Sequence, residues 1–149
     1  MRVILQRVQH ASVMMGGNIT GKIKNGILSL VGFEPDDTKE DFEWISKKII
    51  QLRIFNDENG VMNLDIQQTE GDILVVSQFT LHASTKKGNR PSYIKASKPD
   101  LAKEQYQSFL NILETNFKPV QKGIFGADMK VELLNDGPVT IIIDSKNKE

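Results

Sequence analysis

Cysteine is absent from the chain, which excludes disulfides and thiolate metal sites and suits a reducing compartment. Histidine is nearly absent as well: His10 and His82 stand alone, with no HExxH and no carboxylate cluster beside them, so no metal or other cofactor is expected. The acids of Asn56-Asp57-Glu58-Asn59-Gly60 lack the spacing and the closing glutamate of a calcium loop. No GxGxxG opens a helix and no Walker loop occurs, which removes support for dinucleotide or nucleoside-triphosphate binding. Ser77 sits in Val-Ser-Gln-Phe rather than in a GxSxG elbow. On a strand, His82 shares a face with Thr80 and not with Ser77, which argues against a Ser-His triad. Long apolar runs are missing too. The one at the N-terminus is cut by Gln6 and Arg7, so neither a signal peptide nor a membrane span is expected and a cytoplasmic protein is the default. Charge of one sign is also lacking, with 19 basic residues against 19 acidic ones. A nucleic-acid partner would then be held at a small site, not along an extended basic groove. The clearest local bias is Lys86-Lys87-Gly88-Asn89-Arg90, within a stretch free of acids from Ile73 to Pro99.

What is present fits one domain over residues 1–149, large enough to bury about 68–70% of its unfolded surface. Residues 3–13 alternate as a strand, with Val3, Leu5, Ala11 and Val13 on one face, and Gly16-Gly17 turns it into a second strand at 19–23. Arg7 in that first strand is either an outward-facing charge or a buried donor fork holding carbonyls or a carboxylate. Ile27-Leu28-Ser29-Leu30-Val31 reads as a central strand. Thr38 and Asp41 form a capping box for a helix over 38–51, with Phe42, Ile45, Ile49 and Leu52 as its stripe and Trp44 at its flank. Residues 61–64 suggest a short strand, and Ile73-Leu74-Val75-Val76 one buried on both faces. Pro99 opens a second helix, whose stripe is Ala102, Tyr106, Phe109, Leu110, Leu113 and Phe117, and Pro119 stops it. The fold class expected is α+β: a curled antiparallel or mixed β-sheet approaching a barrel, with two main helices packed outside.

Two stretches carry chemistry. Ser77-Gln78-Phe79-Thr80-Leu81 places hydroxyls, an amide and backbone N–H groups at the end of a wholly apolar strand, where they either meet a ligand or bond the neighbouring backbone. Amides around Phe79 and Thr80 would suit an oxyanion, which needs no strong base if the substrate is already reactive, as an aminoacyl ester is. Asn135-Asp136-Gly137-Pro138-Val139-Thr140 interrupts the apolar run between Met129 and Ile143 and reads as the turn of a final hairpin. Its Gly137-Pro138 bond either is trans and starts an edge strand, or is cis, turning two neighbouring carbonyl oxygens the same way on a stiff tip.

Together these two motifs resemble the pair found in the D-aminoacyl-tRNA deacylases, also called D-tyrosyl-tRNA deacylases. The likeness extends in order through Met1-Arg2, Gln6-Arg7-Val8, Leu52-Arg53-Ile54-Phe55, Met62-Asn63-Leu64, Gly88-Asn89-Arg90-Pro91-Ser92 and Phe125-Gly126-Ala127-Asp128-Met129. Asn89 and Tyr93 depart from the residues relatives often carry. The resemblance implies hydrolysis of D-aminoacyl-tRNA by a homodimer, and also of glycine mischarged on tRNA. Ser77, Gln78, Phe79 and Thr80 would form the catalytic pocket. A cis Gly137-Pro138 tip, held by Arg7, would reach into the other subunit's pocket and reject L-aminoacyl groups by collision. Phe125 and Met129 would border the terminal adenosine, and Lys86, Lys87 and Arg90 the acceptor-stem phosphates. A reading of a different class is a non-catalytic binding module of the same fold, for a tRNA end or DNA.

Overall fold

The computed structural model describes residues 1–149. Strand β1 (Arg2–Met15) turns through Gly16 and Gly17, both at positive φ, into β2 (Asn18–Ile23), and β3 (Gly26–Gly32) follows. Helix α1 spans Lys39–Gln51. A small two-stranded sheet, β4 (Phe55–Asn56) with β5 (Met62–Leu64), precedes β6 (Asp72–Ser77). A 3₁₀ turn at Phe79–His82, helix α2 (Pro99–Asn116), β7 (Gln121–Lys122) and β8 (Lys130–Asp144) complete the chain.

The main sheet is mixed, in the order β2-β1-β3-β6-β7, with β8 on β1. β1 is long enough to serve two neighbours along one edge: β3 beside Arg2 to Val8, and β2 beside Ala11 to Met15. The outer strands of the path then approach each other, and the Lys22 N–H donates to the Gln121 side chain of β7. At Gly21 a Cβ would come within 2.9 Å of the Lys122 carbonyl oxygen. The sheet is nearly closed into a barrel.

Alternation along the strands divides the core. Ile27 and Val31 of β3, with Ile73 and Val75 of β6, face the helices, where Phe42, Ile45, Ile49, Phe109, Leu110 and Leu113 meet them. Leu28, Leu74 and Val76 point the other way, to Val8, Ala11, Val13 and Ile23 inside the barrel. The unbroken apolar run of β6 follows from this burial on both faces. Truncating such a residue costs about 2–5 kcal/mol. Both helices have the expected stripes except at their last positions, since Leu52 and Phe117 follow the helix ends and are half-buried; Trp44 packs at the flank under the ammonium groups of Lys48 and Lys148.

Two expectations are corrected. Residues 130–144 do not form a hairpin: β8 runs as one strand antiparallel to β1 over its whole length. Val8 pairs with Asn135 and Gln6 with Thr140, so residues 136–139 bulge out opposite Arg7 alone. The free β1 edge holds both halves of β8 in one direction, and the insert becomes a protrusion. Likewise, the strand ending at Ser77 is followed by a 3₁₀ turn, because β3, its partner, stops at Gly32 and offers no further ladder.

Candidate active site

β3 and β6 end side by side, with Val31 paired to Ser77, and the Gln78 N–H donates to the Val31 carbonyl at 2.7 Å. The chain then folds back over the strand end. Only glycine fits beneath it: a Cβ at Gly32 would lie 2.8 Å from the Gln78 carbonyl oxygen and 3.1 Å from the His82 ring. Against this turn lies a cavity of about 290 Å³, walled by Ser77, Gln78 and Phe79 on one side and by Phe125, Ala127 and Met129 on the other. Phe125 is fixed from behind by Tyr106, ring centroids 5.6 Å apart. Tyr106 in turn donates its hydroxyl to the Val75 carbonyl at 3.2 Å, and burial pushes its pKa up.

The first N–H groups of a helical turn have no partner within it, and here these belong to Phe79 and Thr80. The Gln78 side-chain amide donates to Thr80 Oγ1 at 2.6 Å. His82 is hydrogen-bonded to neither Ser77 nor Thr80. It is buried, its ring nitrogens have no hydrogen-bond partner, and its nearest charged neighbour is Glu34, 3.6 Å from Nδ1. Phe79 itself is 56% exposed and meets Tyr93 edge-on at 5.0 Å.

The second assembly is the bulge. Arg7 is 6% exposed, and its guanidinium is the buried fork of the two readings given above. It donates to the Ile54 carbonyl at 2.7 Å, to Asn56 Oδ1 at 3.2 Å and to the Asp136 carbonyl at 3.3 Å. The Asp136 carboxylate lies 3.1 Å from Nε. The Asn135 side-chain amide donates to the carbonyls of both Arg7 and Val139, each at 3.0 Å, tying the two ends of the bulge together. At its apex, Gly137 and Pro138 are exposed and joined by a cis peptide bond. Gly137 has φ +119°, and a Cβ there would lie 2.8 Å from Val139 Cγ2 and 3.0 Å from Arg7 Nη2.

The fold therefore gathers Ser77, Gln78, Phe79, Phe125 and Met129 around one cavity, with Thr80 linked to it through Gln78, and holds Arg7, Gly137 and Pro138 elsewhere. Arg7 pairs with Ile27 whereas the cavity opens at Gly32, a separation along β3 of roughly 16 Å at ~3.3 Å per residue. Lys86, Lys87 and Arg90 occupy an exposed loop whose base is closed by paired backbone bonds between Ser84 and Ser92. Sequence reasoning missed Gly32 and Ser97 in the cavity wall. The position of Gly32 at the end of an apolar strand was a usable signal, and Ser97 had none. A larger groove of about 640 Å³ between α1 and α2 is lined mainly by polar residues such as Lys39, Glu43 and Asn111 and holds neither motif, and the smaller cavity is the better candidate.

The model of the family "D-Tyr-tRNA(Tyr) deacylase" matches residues 4–144. The chain belongs to that family. Among curated relatives, a protein of Parabacteroides distasonis named "D-aminoacyl-tRNA deacylase" is 65% identical over 150 residues, covering 100% of both chains. One of the same name from Flavobacterium johnsoniae is 64% identical with the same coverage. Among solved structures, the "c-Myc DNA Unwinding Element Binding Protein" superposes with a TM-score of 0.92 at 39% identity, over 97% of this chain and 98% of the other. A structure described as a "probable eukaryotic D-amino acid tRNA deacylase" reaches a TM-score of 0.81 at 17% identity, over 95% and 97% of the two chains, a likeness of fold alone. The family assignment agrees with the motif pair at Ser77 to Leu81 and Asn135 to Thr140, and the deacylase fold with the two helices and the nearly closed mixed sheet.

Proposed function

We propose that this protein is a D-aminoacyl-tRNA deacylase. Water adds to the acyl carbon of the ester, the terminal ribose oxygen leaves with a proton, and free D-amino acid and tRNA result. The names of the relatives and the family match support the activity. The observation that carries the mechanism is the pairing of a small cavity, beside the free N–H groups of Phe79 and Thr80, with a stiffly based, exposed Gly137-Pro138 tip that lies too far away to serve that cavity in its own chain. The reacting site is completed in a homodimer, each tip entering the partner's cavity. Leu134 and Ile142, 47% and 67% exposed, flank the tip on a strand whose outer edge has no partner, a surface suited to a second copy.

In this arrangement the N–H groups of Phe79 and Thr80 face the ester carbonyl and stabilise the charge that develops there. The ribose 2′-hydroxyl helps direct the water, and Ser77 and Gln78 shape the pocket. Main-chain oxygens of the partner's tip stand where an L side chain would project, whereas a D side chain points away and glycine has none. Discrimination by collision leaves the abundant L-aminoacyl-tRNAs intact. Phe125 and Met129 border the terminal adenosine, and the exposed Lys86, Lys87 and Arg90 meet phosphates beyond it. The whole chain, residues 1–149, acts as one deacylase domain, in the cytoplasm where charged tRNA is found.

The solved relative named for DNA binding favours a second reading, a binding module of the same fold without hydrolysis. Incubation with D-tyrosyl-tRNA and with L-tyrosyl-tRNA separates the two. Rapid release of tyrosine from the D form only is the expected result; release from neither, with retained nucleic-acid binding, assigns the module.

A further inference from the structure

The 3₁₀ turn that presents Phe79 and Thr80 ends in carbonyls with no partner inside the turn, as helical ends do. One of them, Leu81, is met from outside. Arg2 at the start of β1 donates from Nη1 to the Leu81 carbonyl at 2.7 Å. The rest of the same guanidinium is fixed by Asp144 at the end of β8, with Nε at 3.0 Å and Nη2 at 2.9 Å from Oδ2. Asp144 is held from its other oxygen by the Lys146 N–H at 2.9 Å. Partial burial opposes its ionisation, but these bonds and the charge of Arg2 keep its pKa below the usual carboxylate range. A planar fork thus spans three elements, and a cation sits at the C-terminal end of the turn, where the helix dipole favours one.

We infer that Arg2 is a positioning residue for the deacylase reaction: anchored by Asp144, it holds the Leu81 carbonyl and thereby fixes where the Phe79 and Thr80 N–H groups point. The inference rests on the hydrolytic reading of that turn. Arg2 does not line the cavity. Its side chain is 38% exposed, so its pairing adds little to global stability, and its removal acts on the placement of the turn. A displacement of about 1 Å at reacting groups costs up to ~10²-fold in rate.

The test compares wild-type protein with Arg2→Ala and Arg2→Lys on D-tyrosyl-tRNA. Arg2→Ala should lower kcat by about tenfold or more, with KM and thermal midpoint nearly unchanged. Guanidinium ion at sub-denaturing concentration should restore part of the loss by entering the exposed gap. Arg2→Lys should fall between, because an ammonium lacks the fork that serves both Leu81 and Asp144. A wild-type kcat in Arg2→Ala overturns the inference, and so does a loss that tracks a falling thermal midpoint and does not respond to guanidinium. Inactive wild-type protein would instead overturn the deacylase reading itself.

Discussion

The Thr80 hydroxyl accepts a short bond from the Gln78 amide and has no base beside it, and an unassisted hydroxyl is a weak nucleophile. Its placement suits orientation of the turn. Replacing Thr80 by Ala should therefore lower kcat less than about tenfold, with tRNA binding retained, since the N–H groups stay in place. Complete loss of turnover with full binding would make Thr80 the nucleophile. Gly137 is constrained from two sides, by its positive φ and by the contacts any Cβ would make with Val139 and Arg7. Gly137→Ala should cost about 1–3 kcal/mol in urea unfolding and, by pushing the tip off its seat, should relax the preference for D over L substrate. An alanine variant as stable and as selective as the wild type would show that the tip tolerates displacement. Arg7 was readable as a mid-strand charge, but whether it faced solvent or a buried carbonyl set depended on partners about 50 and 130 residues further along the chain, in β4 and β8.

At the scale of elements, period carried the helices. Phe42, Ile45 and Ile49, and Ala102, Tyr106, Phe109 and Leu113, recur as a helix requires and are buried as expected. The capping box was legible too, and the Asp41 carboxylate accepts from the Thr38 N–H at 2.8 Å. Partial burial opposes ionisation of Asp41, but bonds from Thr38, Ser145 and Lys146 outweigh it and hold its pKa well below the ordinary value. The unfolded chain then binds more protons, so this stabilisation is present above about pH 4 and lost as the pH falls towards the folded pKa. Asp41→Asn should cost about 1 kcal/mol near neutral pH, and the difference from wild type should shrink progressively as the pH falls below about 4. A gap independent of pH would remove the carboxylate's role. What misled the reading was β8. Asp-Gly between two apolar runs is a strong hairpin signal, but both runs pair with β1, distant in sequence, and a local pattern contains no trace of that partner. The 3₁₀ turn after Ser77 was hidden for the same reason, because it depends on where β3 stops.

For the whole molecule, the mixed sheet and its two outer helices followed from the order of strands and stripes, whereas the cavity did not: its walls come from separate segments around Gly32, Ser77, Ser97, Ala102 and Phe125, brought together only by the tertiary fold. The motif pair at 77–81 and 135–140 pointed to one function, yet the fold sets the two motifs apart within a chain, and the proposed homodimer is what would reunite them. A purified heterodimer tests this most directly. One subunit carries Gly137→Ala, so its cavity is intact and its tip displaced. The other carries Ala127→Trp, so its cavity is filled and its tip intact. If the tip acts across subunits, the single open cavity faces a native tip, and the heterodimer hydrolyses D-tyrosyl-tRNA while leaving L-tyrosyl-tRNA untouched. Hydrolysis of both forms, as expected of the Gly137→Ala homodimer, would place the tip's action within its own chain and contradict the mechanism.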